Sequence, residues 1–237
     1  VGVGLDNIDQ NAAKEKNIRV INAVEGAMNA VAELVIGLML SMAREIPRAD
    51  REVRNGNWIK KELMGRELSG KYLGIVGLGN IGKKLARHAK SLNMNIIGYD
   101  VVPIDEEFSK EVGLMKADLD TLLSSSDYVS LHVPLLESTH HMINNEKLKL
   151  MKKTACIINT ARGGVIDEDA LYNSLKEGNL ANAALDVFET EPATENKLIT
   201  LPNFIATPHI GAQTKEAQSL AANIIAEKII QILRGVI

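Results

Sequence analysis

One cysteine, Cys156, stands among 237 residues, so no disulfide can form within the chain and a reducing, cytoplasmic setting is expected. Aromatic residues make up only 3%, which leaves few rings on which nucleic-acid bases could stack. Neither sign of charge dominates. A formal net charge of -3 gives no electrostatic reason to expect a nucleic-acid partner or an anionic membrane. The most apolar stretch, residues 27–43, is broken by Asn29, Glu33 and Ser41. A spanning helix needs about 20 nearly uninterrupted apolar residues, so a buried or interface helix is predicted. The opening Val1-Gly2-Val3-Gly4 has no initiator Met and no basic segment, and reads as part of a longer protein rather than a signal peptide. No Cys, His or acidic set has metal-ligand spacing, so no metal is expected, and no serine-hydrolase elbow or Walker phosphate loop occurs. What remains is an ordinary globular composition, 46% hydrophobic and 24% charged. A chain of this length buries roughly 70–75% of its unfolded surface and needs no cross-link to fold.

Short apolar runs alternate with longer amphipathic stretches, the pattern of a doubly wound parallel α/β sheet. Strands are predicted at 72–76, 95–99, 114–116, 128–132, 155–159, 183–187 and 204–206. Helices are predicted at 81–92, 119–125, 146–150, 168–176 and 213–233, with Asp118 and Asp167 at capping positions. Residues 44–69, which hold the single tryptophan, Trp58, break this alternation and read as an arm or linker.

The strongest local signal is Gly77-Leu78-Gly79-Asn80-Ile81-Gly82, between a strand and a helix. Gly77 permits the tight turn, Gly79 lets a pyrophosphate approach the backbone, and Gly82 lets the helix pack on the strand. Roughly twenty positions later Asp100 ends the next strand, where a carboxylate binds ribose hydroxyls and repels a 2′-phosphate. Together these predict a dinucleotide, with an S-adenosylmethionine site, which can use a similar loop, as the alternative, and with NAD favoured over NADP. Gly77, Asp100, His132, Arg162, Asp186 and His209 all fall at or just beyond the carboxyl ends of predicted strands. In a parallel sheet those ends share one edge, and ligands bind there.

Arg162 follows an apolar strand and precedes two glycines; its guanidinium can grip a carboxylate and polarise a carbonyl. His209 lies between the last strand and the last helix, and Glu191 lies in the preceding strand-end loop. A carboxylate beside an imidazole fixes its tautomer and favours its protonated form, as a general acid/base requires. His88, among Lys83, Lys84, Arg87 and Lys90, is expected to face solvent. His140 and His141 lie in a loop, and Cys156 reads as a small buried hydrophobe.

The runs GLGNIG, HVPL with Thr139 beyond it, INTARGGVIDEDAL, ALDVFETEP and TPHIGAQT occur in order, after an opening VGVGLDNID. The chain thereby resembles the D-2-hydroxyacid dehydrogenases. That resemblance implies a Rossmann NAD-binding domain at residues 23–208, containing a dimer-forming helix and arm at 27–69. Residues 1–22 and 209–237 would be remnants of a flavodoxin-like substrate lobe. It implies NAD-dependent oxidation of a small D-2-hydroxy acid by a homodimer or higher homo-oligomer, with Arg162, Glu191 and His209 catalytic. Asn80, Ile81, Val133, Pro134, Thr139, Thr160, Ala161, Asp186, Gly211 and Ala212 match cofactor positions, as does Val3 in the opening turn. An NAD-binding scaffold, as in co-repressors resembling this family, and a catalytically silent NAD-binding piece remain open alternatives.

Overall fold

A computed structural model describes Gly4 and residues 8–236. The chain runs α1 (Gln10–Glu15), α2 (Val24–Ala43), α3 (Ile46–Arg54), β1 (Tyr72–Val76), α4 (Asn80–Ser91), β2 (Asn95–Tyr99), α5 (Glu106–Val112), β3 (Leu114–Lys116) and α6 (Leu119–Ser125). It continues β4 (Tyr128–Leu131), α7 (Asn145–Leu150), β5 (Cys156–Asn159), α8 (Glu168–Lys176), β6 (Asn182–Leu185), β7 (Phe204–Ala206) and α9 (Lys215–Leu233). Two compact units result, Val1–Val31 with Ile210–Ile237, and Ala32–His209. The first division falls between Val31 and Ala32, inside α2.

In the larger unit all strands join one parallel sheet in the order β3-β2-β1-β4-β5-β6-β7. The chain moves outward from β1 through β2 to β3, then returns to β4 and moves outward the other way. This is the doubly wound arrangement, with its switch point between β1 and β4. Alternate residues feed opposite faces. Leu73, Ile75, Tyr128 and Ile158 pack with Val35, Met39, Leu85 and Ala89 of α2 and α4. Val129, Leu131, Ile157 and Leu185 pack on the other face with Leu122, Leu148 and Leu171 of α6, α7 and α8. Helix α2 is long and apolar enough to cross a membrane, yet more than half of its apolar window is buried within the protein.

Several local expectations need correction. Strand β4 stops at Leu131 and β6 at Leu185, because their ladders end there, so His132 and Asp186 lie just past the strands. Helix α5 was not expected: its charged run offers only Phe108 and Val112 as an apolar pair. Its ends are nonetheless well marked, with Asp105 accepting from Phe108 N–H and Gly113 at φ 68° closing it. The arm contains α3, which buries none of its residues. His88 is half-buried rather than solvent-facing, its Nε2 enclosed beside the Leu85–Ala89 stripe of α4.

The smaller unit is helical among the described residues. Gly26 of α2 lies so near α9 that a Cβ there would stand 2.9 Å from the Ala221 Cβ. Lys228 donates to the Asn22 carbonyl at 2.8 Å.

At the amino ends of the central strands Asp127 ties three of them together. Its carboxylate accepts from Tyr72 N–H at 2.9 Å and from Lys152 at 3.0 Å. Its backbone pairs with Tyr72 and Cys156. Burial works against its ionisation, but the Tyr72 N–H and the Lys152 ammonium outweigh that and hold the carboxyl below the usual range. A depressed folded pKa supplies stability that is present above the unfolded value and lost as pH falls through the folded one. Asp127→Ala is therefore expected to cost about 1–3 kcal/mol in urea unfolding at neutral pH. The gap from the parent should close below about pH 4; a gap of constant size down to pH 2 would contradict this account.

Candidate active site

The carboxyl edge of the sheet begins with the glycine turn. Gly77 has φ 93°, and its backbone runs so close to β4 that a Cβ would meet the His132 carbonyl oxygen at 2.6 Å. Val133 lies against the same position. Gly82 sits over the turn itself, where a Cβ would stand 2.1 Å from the Gly77 oxygen. At Gly79 the opposite holds: a Cβ there would meet nothing within 4 Å. Gly79 also caps α4 without any side-chain hydrogen bond, leaving the N–H groups of Asn80 and Ile81 at an uncapped helix start. Such a start binds anions through its free donors and its dipole.

Asp100 closes this turn from the next strand. Its Oδ2 accepts from Leu78 N–H at 2.6 Å and its Oδ1 from Val102 N–H at 2.9 Å. The carboxylate is thus fixed at the mouth of a cavity of about 600 Å³, lined also by Val102, Ile104, Glu106, Lys116 and Asp118. Across the switch point, His132 is turned toward Ser130, whose hydroxyl lies 2.9 Å from Nε2. Burial pushes this imidazole down to about 4, so it is neutral at physiological pH. Thr139 closes its own loop, donating to the Pro134 carbonyl at 2.6 Å and accepting from Leu136 N–H. The buried Thr160 hydroxyl has no protein partner, the kind of orphan that a bound ligand satisfies. Free helix donors, a cradle open at Gly79, a fixed acid and this hydroxyl together fit a dinucleotide.

Beyond the cradle, a chain of hydrogen bonds links the backbone of the loops that carry the residues expected to be catalytic, while the Arg162 guanidinium donates from Nη1 to the Ala161 carbonyl at 2.6 Å. Asn159 Nδ2 donates to the Arg162 carbonyl at 2.8 Å, while its Oδ1 accepts from Ala161 N–H. The Asn159 carbonyl accepts from Asp186 N–H at 2.9 Å, and the Asp186 carbonyl accepts from His209 N–H at 2.9 Å. The buried Asp186 carboxylate also takes the Thr207 hydroxyl at 2.5 Å. His209 holds φ 55°, left-handed backbone that a non-glycine residue adopts at a cost. Its Nδ1 lies 2.9 Å from Glu191 Oε2, and Glu191 Oε1 accepts from Phe188 N–H at 3.1 Å. The Arg162 and Glu191 loops touch directly: a Cβ on Gly163 would fall 1.9 Å from the Phe188 oxygen. Gly211 and Ala212 follow His209 in the chain but belong to the smaller unit, and Val3 lies outside the described residues.

A brace missed from the sequence supports the Glu191 loop. Glu189 pairs with His141 at 2.9 Å, and its N–H donates to Glu168 at 2.7 Å. Glu168 also receives Asn196, and burial pushes its carboxyl upward. His140 stacks on His141 with ring centroids 3.9 Å apart. No spacing rule couples residues this far apart in sequence; only the fold brings them together. Cys156 is buried, its thiol pushed up to about 11 by burial, as an inert core residue requires.

Residues 36–211 match the family described as D-isomer specific 2-hydroxyacid dehydrogenase, NAD binding domain. The chain is 51% identical over 235 residues to D-3-phosphoglycerate dehydrogenase of Methanocaldococcus jannaschii, covering 99% of this chain and 45% of that protein. It is 50% identical over 231 residues to hydroxypyruvate reductase of Thermotoga maritima, covering 96% and 74% respectively. Among solved structures, an acyclic imino acid reductase (Bsp5) in complex with NADPH and D-Arg superposes with a TM-score of 0.90 at 32% identity. That likeness covers 99% of this chain and 74% of the reductase. The chain therefore spans less than half the length of the first relative.

The two helix-side glycines should behave differently on substitution. Gly82→Ala forces a Cβ into backbone, so it is expected to cost about 1–3 kcal/mol of stability and to abolish NADH binding. Gly79→Ala should leave the unfolding midpoint close to that of the parent while weakening NADH, because its Cβ enters only the space a pyrophosphate needs. Thermal unfolding and NADH fluorescence titration of both variants check this; equal losses of stability would refute the distinction.

Proposed function

Because the chain belongs to the D-isomer-specific 2-hydroxyacid dehydrogenase family, we propose that the protein carrying it oxidises a D-2-hydroxy acid to the 2-oxo acid with NAD. The observation that carries this reading is the His209–Glu191 pair at 2.9 Å, stitched through Asp186 and Asn159 to the Arg162 loop. A carboxylate only accepts hydrogen bonds, so Glu191 selects the neutral tautomer with the proton on His209 Nδ1, and in that form Nε2 keeps its lone pair. Nε2 then takes the proton of the substrate hydroxyl, and Glu191 stabilises the imidazolium that forms. Arg162 holds the substrate carboxylate with paired hydrogen bonds and draws charge onto the developing carbonyl oxygen. The chemistry supplied by bound NAD is acceptance of the hydride leaving C2. The uncapped start of α4, the Thr160 hydroxyl and Asp100 are the groups that would hold it.

The finer reading is that the substrate is 3-phospho-D-glycerate. Support for it comes from 51% identity to a D-3-phosphoglycerate dehydrogenase, set against 50% to a hydroxypyruvate reductase. The reading includes a homodimer. Support for that comes from the exposed apolar side chains of the arm, where Trp58 is 82% and Met64 85% accessible. A cytoplasmic setting accords with one buried, reduced cysteine.

NADH formation with a panel of D-2-hydroxy acids tests the proposal. Turnover is expected with 3-phospho-D-glycerate above D-lactate and D-glycerate, and His209→Ala should lower it by about 10²–10⁴-fold. A different preferred acid would overturn the finer reading alone. Tight NADH binding without turnover of any acid would overturn the enzymatic reading in favour of a scaffold.

A further inference from the structure

The cavity beyond Asp100 holds an uneven set of charges. Three carboxylates line it, from Asp100, Glu106 and Asp118. Among its described lining residues, Lys116 is the one cation. Lys116 ends β3 and stands in register with Gly98 of β2, two residues before Asp100. A 2′-substituent on a ribose held at Asp100 would lie next to this cavity, since Asp100 is one of its lining residues. A 2′-phosphate brings a further charge of about −1.5 to −2. Lys116 is the residue that could receive it.

The ammonium is already engaged. It donates to Glu106 Oε1 at 2.5 Å and to the Ile104 carbonyl at 3.0 Å. Glu106 sits in the first turn of α5, immediately after the capping Asp105, where the helix start favours negative charge. The Lys116 hydrogen bond holds the Glu106 carboxyl below the usual range. The Glu106 side chain is 75% and Lys116 39% exposed, so the pair contributes little to stability. Its effect falls on the cavity instead, where it engages the one cationic side chain among the described lining residues.

We propose that Glu106 is a second determinant of coenzyme choice: by holding Lys116 at the rim of the cavity, it denies a ribose 2′-phosphate its only cationic partner there. This rests on the NAD-binding reading above and adds to it a mechanism separate from repulsion by Asp100. The fold itself does not enforce the choice, since the similar imino acid reductase is in complex with NADPH. Selectivity then lies in local side chains, of which Asp100 is one and the Glu106–Lys116 pair another.

Calorimetric titration of the unmodified chain and its variants with NADH and NADPH tests this. Glu106→Gln is expected to raise the NADPH-to-NADH affinity ratio about 2- to 10-fold, the size of one released ion pair acting on a doubly charged group. The gain should shrink at high salt. The same substitution in a Lys116→Met background should give a much smaller gain, because no ammonium remains to be released. An unchanged ratio in Glu106→Gln overturns the proposal. So does an equal gain with and without Lys116, which would mean that Glu106 acts by repulsion alone. Failure of the unmodified chain to bind NADH at all would instead overturn the NAD-binding reading on which this one stands.

Discussion

Parallel pairing is the constraint on which the site depends. In an antiparallel sheet the ends of successive strands alternate between edges, and Gly77, Asp100, Arg162 and His209 would be scattered. Here each strand enters the sheet at the same edge and leaves at the other, so whatever residue follows a strand is delivered to one rim. Register then sets distances. Asn159 pairs with Leu185, and Leu185 with Ala206, so the residues just past β5, β6 and β7 stand side by side. The hydrogen bonds from Asp186 to Asn159 and from His209 to Asp186 continue that ladder beyond the strands. Arg162 and His209, 47 positions apart in the chain, are joined through this extension of the sheet.

The rim presents two kinds of environment. At the switch point the structure offers donors: an uncapped helix start, a glycine with open space in front of it, and N–H groups whose partner is the fixed Asp100. At the other end it offers a titratable pair. His209 and Glu191 remain partly open to water, and what orders them is covalent and hydrogen-bonded constraint rather than burial. The left-handed backbone at His209 and the brace of Glu168, Glu189 and His141 under the Glu191 loop supply that constraint. His132 shows the alternative, enclosed and held neutral beside Ser130.

Much of this was legible in the sequence because it is local. Apolar runs with turn residues after them mark parallel strands, and strands β1, β2, β3 and β7 fall where periodicity places them. The glycine turn and Asp100 were legible because each meets a steric or electrostatic demand within a single βαβ unit. Helix α5 was missed for want of an apolar stripe, although its caps are written plainly in Asp105 and Gly113. The half-burial of His88 was missed because four basic neighbours dominate the local reading, while the Leu85–Ala89 stripe decides the packing. Least legible were the long-range pairs, His141 with Glu189, Asn196 with Glu168 and Lys116 with Glu106. Their partners lie 48, 28 and 10 positions apart. No period links them.

The two edges of the sheet show why residue type alone does not identify a site. Asp127, Tyr128 and Cys156 gather at the amino edge, a carboxylate, a phenol and a thiol that could suggest chemistry. Yet burial pushes Tyr128 up to about 12 and Cys156 to about 11, and Asp127 spends its carboxylate on Tyr72 N–H and Lys152. Asp127 is consumed in starting strands, and burial keeps the phenol and the thiol protonated. At the carboxyl edge the accounting differs: Gly79 leaves donors open, Thr160 keeps an unpartnered hydroxyl, and His209 retains a free face opposite Glu191. The helix dipoles sharpen the contrast, since α4 begins at the carboxyl edge and points its positive end there.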